Sequence, residues 1–126
     1  MEQTSSQHTA LIVEDDDTVR GLLERWLTLD GYDVATCASF AAAKSRIAAT
    51  PPDVLITDVR LGAFNGLQLA ILAKQHREDT LAIVLTAFED ASLRREAALC
   101  GALYLLKPIT MDQLRDSMRR SAKVSN

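Results

Sequence analysis

Four short apolar runs punctuate the chain, and each ends on side chains with chemistry to offer. Ala10-Leu11-Ile12-Val13 leads into Glu14 and Asp15, and Val54-Leu55-Ile56-Thr57 into Asp58. Leu81-Ala82-Ile83-Val84-Leu85 ends at Thr86, and Ala102-Leu103-Tyr104-Leu105-Leu106 runs into Lys107 and Pro108. Nearly continuous Val, Leu and Ile stretches of this length fit strands buried on both faces. Asp33 to Cys37 adds a shorter strand.

Between the runs the apolar spacing turns helical. Val19, Leu22, Leu23, Trp26 and Leu27 mark a first helix stopped by Gly31. Ser39 is placed to cap a second, through Ala41, Ala42, Ala43, Ile47 and Ala48, which Pro51-Pro52 terminates. A loop holding Gly62 and Gly66 precedes a third, with Leu67, Leu69, Ala70, Leu72 and Ala73. Glu89 and Asp90 suit the start of a fourth, running to about Cys100 before Gly101. Thr110 can cap a fifth, with Met111, Leu114 and Met118 facing inward. Five strands alternating with five helices imply parallel pairing through right-handed crossovers, hence an α/β fold: a three-layer α/β/α sandwich around a five-stranded parallel sheet.

In such a sheet the carboxyl ends of the strands line the ligand crevice. Glu14, Asp15, Asp58, Thr86 and Lys107 are therefore expected to converge there. Three carboxylates so close repel, by about 4 kcal/mol per pair at 4 Å with an effective dielectric near 20. A hard divalent ion with oxygen ligands relieves this: Mg2+, or Mn2+ as a substitute. Lys107 adds a mobile positive charge, and the Thr86 hydroxyl can donate to a phosphoryl oxygen. The set is suited to phosphoryl transfer onto a carboxylate. Taken singly, each residue has a plainer explanation: Asp58 a turn residue, Asp16 and Asp17 a solvated helix start, Lys107-Pro108 turn chemistry. Their joint occurrence, each at the carboxyl end of a different strand and in compatible order, carries the reading.

At these positions the chain resembles the receiver domains of two-component response regulators, from about Thr9 to Arg120. The match comprises Leu-Ile-Val-Glu-Asp-Asp at 11–16, Asp-Val-Arg-Leu at 58–61, Asn65-Gly66-Leu67, Thr86-Ala87, Gly101-Ala102 and Tyr104-Leu105-Leu106-Lys107-Pro108. The resemblance implies a flavodoxin-like (β/α)5 receiver in which Asp58 accepts phosphate from a histidine kinase or phosphotransfer protein. It further implies that Glu14, Asp15, Asp58 and the Arg60 backbone carbonyl hold magnesium, that Thr86, Ala87 and Lys107 contact the phosphoryl group, and that Thr86 and Tyr104 form the switch. A cis peptide between Lys107 and Pro108 is also implied. A downstream protein would meet the face of the fourth helix, fifth strand and fifth helix, near Arg94, Arg95, Arg115 and Arg119; a homodimer on phosphorylation is left open. Beyond its self-catalysed phosphotransfer and dephosphorylation, no enzyme activity is implied.

The chain departs from the family's pattern in three places. Leu61-Gly62 stands where Met-Pro or Leu-Pro is usual, which implies a less rigid loop beside Asp58. The segment Gly101 to Lys107 is one residue shorter than common. Phe88 is bulky, placed either to shield the phosphoryl group or to pack on its loop. A second resemblance runs through Asp15-Asp16-Asp17-Thr18-Val19, similar to the Asp-x-Asp motif of haloacid-dehalogenase-like phosphatases. It would make Asp15 the nucleophile and Asp17 the acid/base, but the usual glycine before the threonine and a late acidic motif are missing.

Composition narrows the field. The 126 residues fit one domain, with residues 9–120 as its body and polar tails at 1–8 and 121–126. A net charge of −3 gives no global basic field to recruit nucleic acid or an anionic membrane. No apolar run approaches the ~20 residues of a bilayer span, and no signal peptide opens the chain, so a cytoplasmic location is expected. Cys37 and Cys100 are too few and too isolated for a disulfide framework or zinc site. With only a tail expected after Arg120, a free-standing regulator, a phosphate shuttle and a receiver cut from a longer protein remain open alternatives.

Overall fold

The computed structural model describes residues 8–124, with side chains up to Arg119. Most of the amino-terminal tail and the end of the carboxyl-terminal one, 1–7 and 125–126, lie outside the described residues. In chain order the elements are β1 (Thr9–Val13), α1 (Asp17–Leu29), β2 (Asp33–Cys37), α2 (Phe40–Ala49), β3 (Val54–Asp58), β4 (Arg60–Leu61), β5 (Phe64–Asn65), α3 (Leu67–His76), β6 (Leu81–Thr86), α4 (Ala91–Leu99), β7 (Leu103–Leu106) and α5 (Met111–Val124). β1, β2, β3, β6 and β7 form one parallel sheet in the order β2-β1-β3-β6-β7. Among the described residues no helix is long and apolar enough to cross a membrane.

Alternate residues of each strand feed opposite sides of the sheet. Leu11, Val13, Leu55, Ala82 and Val84 pack with Ala43 and Ile47 of α2, with α3, and with Ala97 of α4. Ala10, Ile12, Ile56, Ile83 and Leu85 pack with Leu23 and Leu27 of α1 and Leu114 of α5. Full burial of a Leu or Ile contributes about 1.5–3 kcal/mol, so the two layers hold the sheet from both sides.

Helix starts follow the capping residues. Ser39 accepts the Ala42 amide, Asp90 those of Ser92 and Leu93, and Thr110 that of Gln113, whose side chain returns the bond to the Thr110 amide. Asp16, expected as a solvated residue at the helix start, caps α1 through the Thr18 and Val19 amides. Not every apolar residue that marked α1 faces inward: the helix meets the sheet through the narrow stripe of Leu23 and Leu27, which leaves Leu22 on the flank, 41% exposed. Ala41, Ala42 and Ala48 likewise face outward while Ala43 and Ile47, four apart, are buried. α5 runs on to Val124, past the expected edge at Arg120, because Ser121 to Val124 contain no glycine or proline to stop it.

The loop expected after Asp58 contains a small antiparallel hairpin, with Arg60 opposite Asn65 and Leu61 opposite Phe64. Gly62, at φ 62°, supplies the left-handed residue for its turn, so the segment is tied by strand pairing where an open loop was expected. The shortened approach to β7 closes through the Ala102 amide on the Ala97 carbonyl at 2.8 Å.

Candidate functional site

The parallel register brings the carboxyl ends of β1, β3 and β6 level, and the residues at or just after those ends share one crevice. Glu14 is 1% exposed and Asp58 9%. Asp15 is exposed at the rim. Carboxylate oxygens of Glu14, Asp15 and Asp58 lie within 4.8 Å of one another. Lys107 reaches in from the end of β7, its ammonium 3.0 Å from Asp58 Oδ2 and 2.8 Å from Glu14 Oε1. The bond to Asp58 is a charged hydrogen bond. The contact with Glu14 is ionic but lacks hydrogen-bond alignment, so the buried Oε1 has no hydrogen-bond donor among the described residues.

Electrostatics follow from this packing. Burial pushes the Glu14 carboxyl above its ordinary range, outweighing the nearby ammonium. Burial acts on Lys107 in the opposite sense, yet its ion pair with Glu14 and its hydrogen bond to Asp58 prevail and hold its pKa above the ordinary value. One ammonium against three carboxylates leaves negative charge uncompensated. A hard divalent cation fits: the donors are all oxygen, they are already clustered, and one buried oxygen lacks a donor.

The backbone around Asp58 is held tightly. The Arg60 amide donates to Asp58 Oδ1 at 3.2 Å, and the Gly66 amide to the Val59 carbonyl at 2.6 Å. A Cβ on Gly66 would stand 2.0 Å from the Asp58 carbonyl oxygen and 2.8 Å from Thr57 Oγ1, so this position excludes every side chain. Asn65 completes the corner by accepting the Leu67 amide at 2.8 Å.

Of the sequence-expected residues, Glu14, Asp15, Asp58 and Lys107 come together. Arg60 opens β4, exposed, its guanidinium 5.5 Å from the Phe88 ring centroid. Ala87 is exposed in the segment between β6 and α4. Thr86 is buried, but its hydroxyl is turned to its own loop: it donates to the Phe88 carbonyl at 3.2 Å and accepts the Phe88 amide at 3.3 Å. Tyr104 is half-buried, its hydroxyl donating to the Phe88 carbonyl at 3.2 Å and accepting the Asp90 amide at 3.1 Å. The Lys107–Pro108 peptide is cis. Phe88 is 64% exposed and meets Arg60 through its ring face. Asp17 points away, ion-paired to Arg20 at the exposed start of α1. Sequence reasoning missed Arg20, which also donates to the Glu14 carbonyl at 2.8 Å; its spacing of three from Asp17 was the available signal. It also missed the steric role of Gly66, for which a glycine in a loop gives no specific signal.

Comparison with known proteins identifies the family of the fold. The family model described as the response regulator receiver domain matches residues 10–119. The transcriptional regulatory protein KdpE of Staphylococcus aureus is 36% identical over 114 residues, covering 90% of this chain and 49% of that protein. The chain spans a quarter to about half of the length of the curated relatives it matches. A CheY-like receiver domain protein from Methanospirillum hungatei superposes with a TM-score of 0.84 at 22% identity, covering 91% of this chain and 93% of that one. A response regulator from Burkholderia pseudomallei, solved with a phosphorylated aspartic acid, a calcium ion and citrate, gives 0.83 at 24% identity, covering 94% and 71%. The phosphatase alternative built on Asp15 and Asp17 is set aside by the family match. A match over nearly the whole described fold, joined to an acidic crevice at the strand ends, means that this chain belongs to the response regulator receiver domains of two-component systems.

Proposed function

We propose that Asp58 is the phosphoacceptor of this receiver, taking phosphate from the phosphohistidine of a kinase or phosphotransfer protein. The observation that carries the reading is Lys107, whose ammonium bridges Asp58 and Glu14 at the strand ends. In the transfer, an Asp58 carboxylate oxygen forms a bond to phosphorus while the P–N bond of the phosphohistidine breaks, and the imidazole leaves with the electron pair. Lys107 stays beside the new acyl phosphate and balances its charge. Glu14, Asp15, Asp58 and the Arg60 carbonyl would hold Mg2+, or Mn2+ in its place. The ion supplies charge neutralisation on the phosphoryl oxygens. The Burkholderia pseudomallei regulator, with its phosphorylated aspartic acid and calcium ion, supports this by analogy.

The phosphoryl group presents oxygens that Thr86 and the Ala87 amide can meet, and Thr86 must withdraw its one hydroxyl proton from the Phe88 carbonyl to donate to them. Phe88 then keeps Tyr104 as its remaining hydroxyl donor, which couples the site to Tyr104 and to the face of α4, β7 and α5. There a downstream protein, or a second copy of the chain, would read the state. Arg94 on this face is already paired with Glu89, and Arg115 turns to Asp30 at the end of α1 with Arg119 beside it, so Arg95 is the more available cation. A cytoplasmic site of action accords with a histidine-kinase donor.

Incubation with a labelled acyl phosphate tests the reading. Label should enter the parent protein in the presence of magnesium and fall away when it is chelated. Uptake by Asp58→Asn equal to the parent's would overturn the assignment.

A further inference from the structure

Tyr104 sits on an edge strand, so no neighbouring strand covers its outer flank. The ring is nonetheless held on three sides. It packs on the core layer beneath α2, α3 and α4. Its hydroxyl is fixed between the Phe88 carbonyl and the Asp90 amide at the start of α4. Over its face lies the Arg94 guanidinium, 4.5 Å from the ring centroid. Arg94 is itself oriented: Nε and Nη2 meet the two oxygens of Glu89 at 3.0 and 2.9 Å, a two-pronged pairing that sets the plane of the guanidinium. Glu89 and Arg94 flank the cap residue Asp90, so ring, guanidinium and carboxylate all rest on the first turn of one helix.

We infer that Arg94 is a positioning residue for Tyr104, a cation held by Glu89 that retains the ring in this orientation and so sets how readily it turns. The inference rests on the proposed role of Tyr104 as the switch, but it concerns the protein without phosphate. An exposed pair of this type shifts an equilibrium about two- to fivefold. The ion pair alone, exposed at both ends, contributes little; its effect is to orient the guanidinium. Arg94→Met keeps the length of the side chain and removes the cation. Arg94→Lys keeps the cation and loses the fork.

The chain has two tyrosines, and Tyr32 lies on a different element, before β2, where it serves as an internal reference. Ring-labelled tyrosine NMR on the full chain should show Arg94→Met shifting the Tyr104 population about two- to fivefold toward the turned orientation, with Tyr32 unchanged and with partial return in Arg94→Lys. Tyr104 signals in Arg94→Met identical to the parent's would overturn the inference, as would a Lys variant no closer to the parent than the Met variant. Beryllofluoride, a phosphoryl mimic, distinguishes this from the reading it rests on. If Tyr104 stays still in the parent with Asp58 occupied, the switch fails, while the Arg94 effect measured without it stands or falls alone.

Discussion

Replacing Lys107 with methionine removes the ammonium that lies 2.8 Å from Glu14 and 3.0 Å from Asp58 and leaves an apolar stem of similar length. With an effective dielectric near 20, each contact is a gross attraction of about 5–6 kcal/mol, most of it offset by desolvation. What remains after the substitution is a carboxylate 1% exposed and without a counter-charge. Removing one partner of a buried pair typically costs about 3–5 kcal/mol, and the low end applies here because Lys107 itself keeps some access to water. The folded-state pKa of Lys107 is raised, so its contribution is complete below 10.5 and is lost only as pH rises through that higher value. At neutral pH the whole cost should therefore appear. Urea unfolding at pH 7 without divalent ions should show a loss of about 3 kcal/mol, a fall of roughly 1–3 M in midpoint at unchanged slope. Adding Glu14→Gln to the variant should recover most of that loss, because the orphaned charge goes with it. A single variant within about 0.5 kcal/mol of the parent, or a double variant no more stable than the single, would refute the reasoning.

Gly66→Ala should lower stability by more than the ~1–3 kcal/mol of ordinary overpacking, since the new Cβ meets backbone 2.0 Å away; a midpoint equal to the parent's would contradict it. Asp53 ties β1 to α3, and burial raises its pKa, but bonds from Thr9 together with Arg77 outweigh this and leave it below 3.8. The stability this represents is present above that value and lost as pH falls below it, so Asp53→Asn should flatten the acid limb of the stability curve; an unchanged limb would remove Asp53 from the account. Magnesium at a hundredfold its dissociation constant should add about 2.7 kcal/mol in thermal melts, less in Asp15→Asn, and an absent effect in the parent would count against the cation site.

Four of the five sheet strands were legible because they carry nearly unbroken apolar runs, and the polar residue that ends each run marks the crevice. The caps at Ser39, Asp90 and Thr110 were legible because their side chains act within three residues along the chain. The β4–β5 hairpin was not: two-residue strands have no periodicity to read, and Gly62 looked like a plain loop residue. Gly66 matters through contact with the Asp58 backbone, a relation between segments that composition does not encode. The residue type of Thr86 was readable, but its hydroxyl's direction toward Phe88 depends on loop geometry. The same holds for Arg94, whose ring partner Tyr104 lies in a separate segment on β7.

The central claim is that the carboxylate beside Lys107 at the end of β3 takes the phosphoryl group. An aspartyl phosphate is reduced by borohydride to homoserine, so the acceptor can be read directly by peptide mapping. After treatment with magnesium and an acyl phosphate, reduction should convert Asp58 and no other carboxylate to homoserine. Conversion at Asp15 or Asp17, or an unmodified Asp58 in a folded, magnesium-bound protein, would contradict the account.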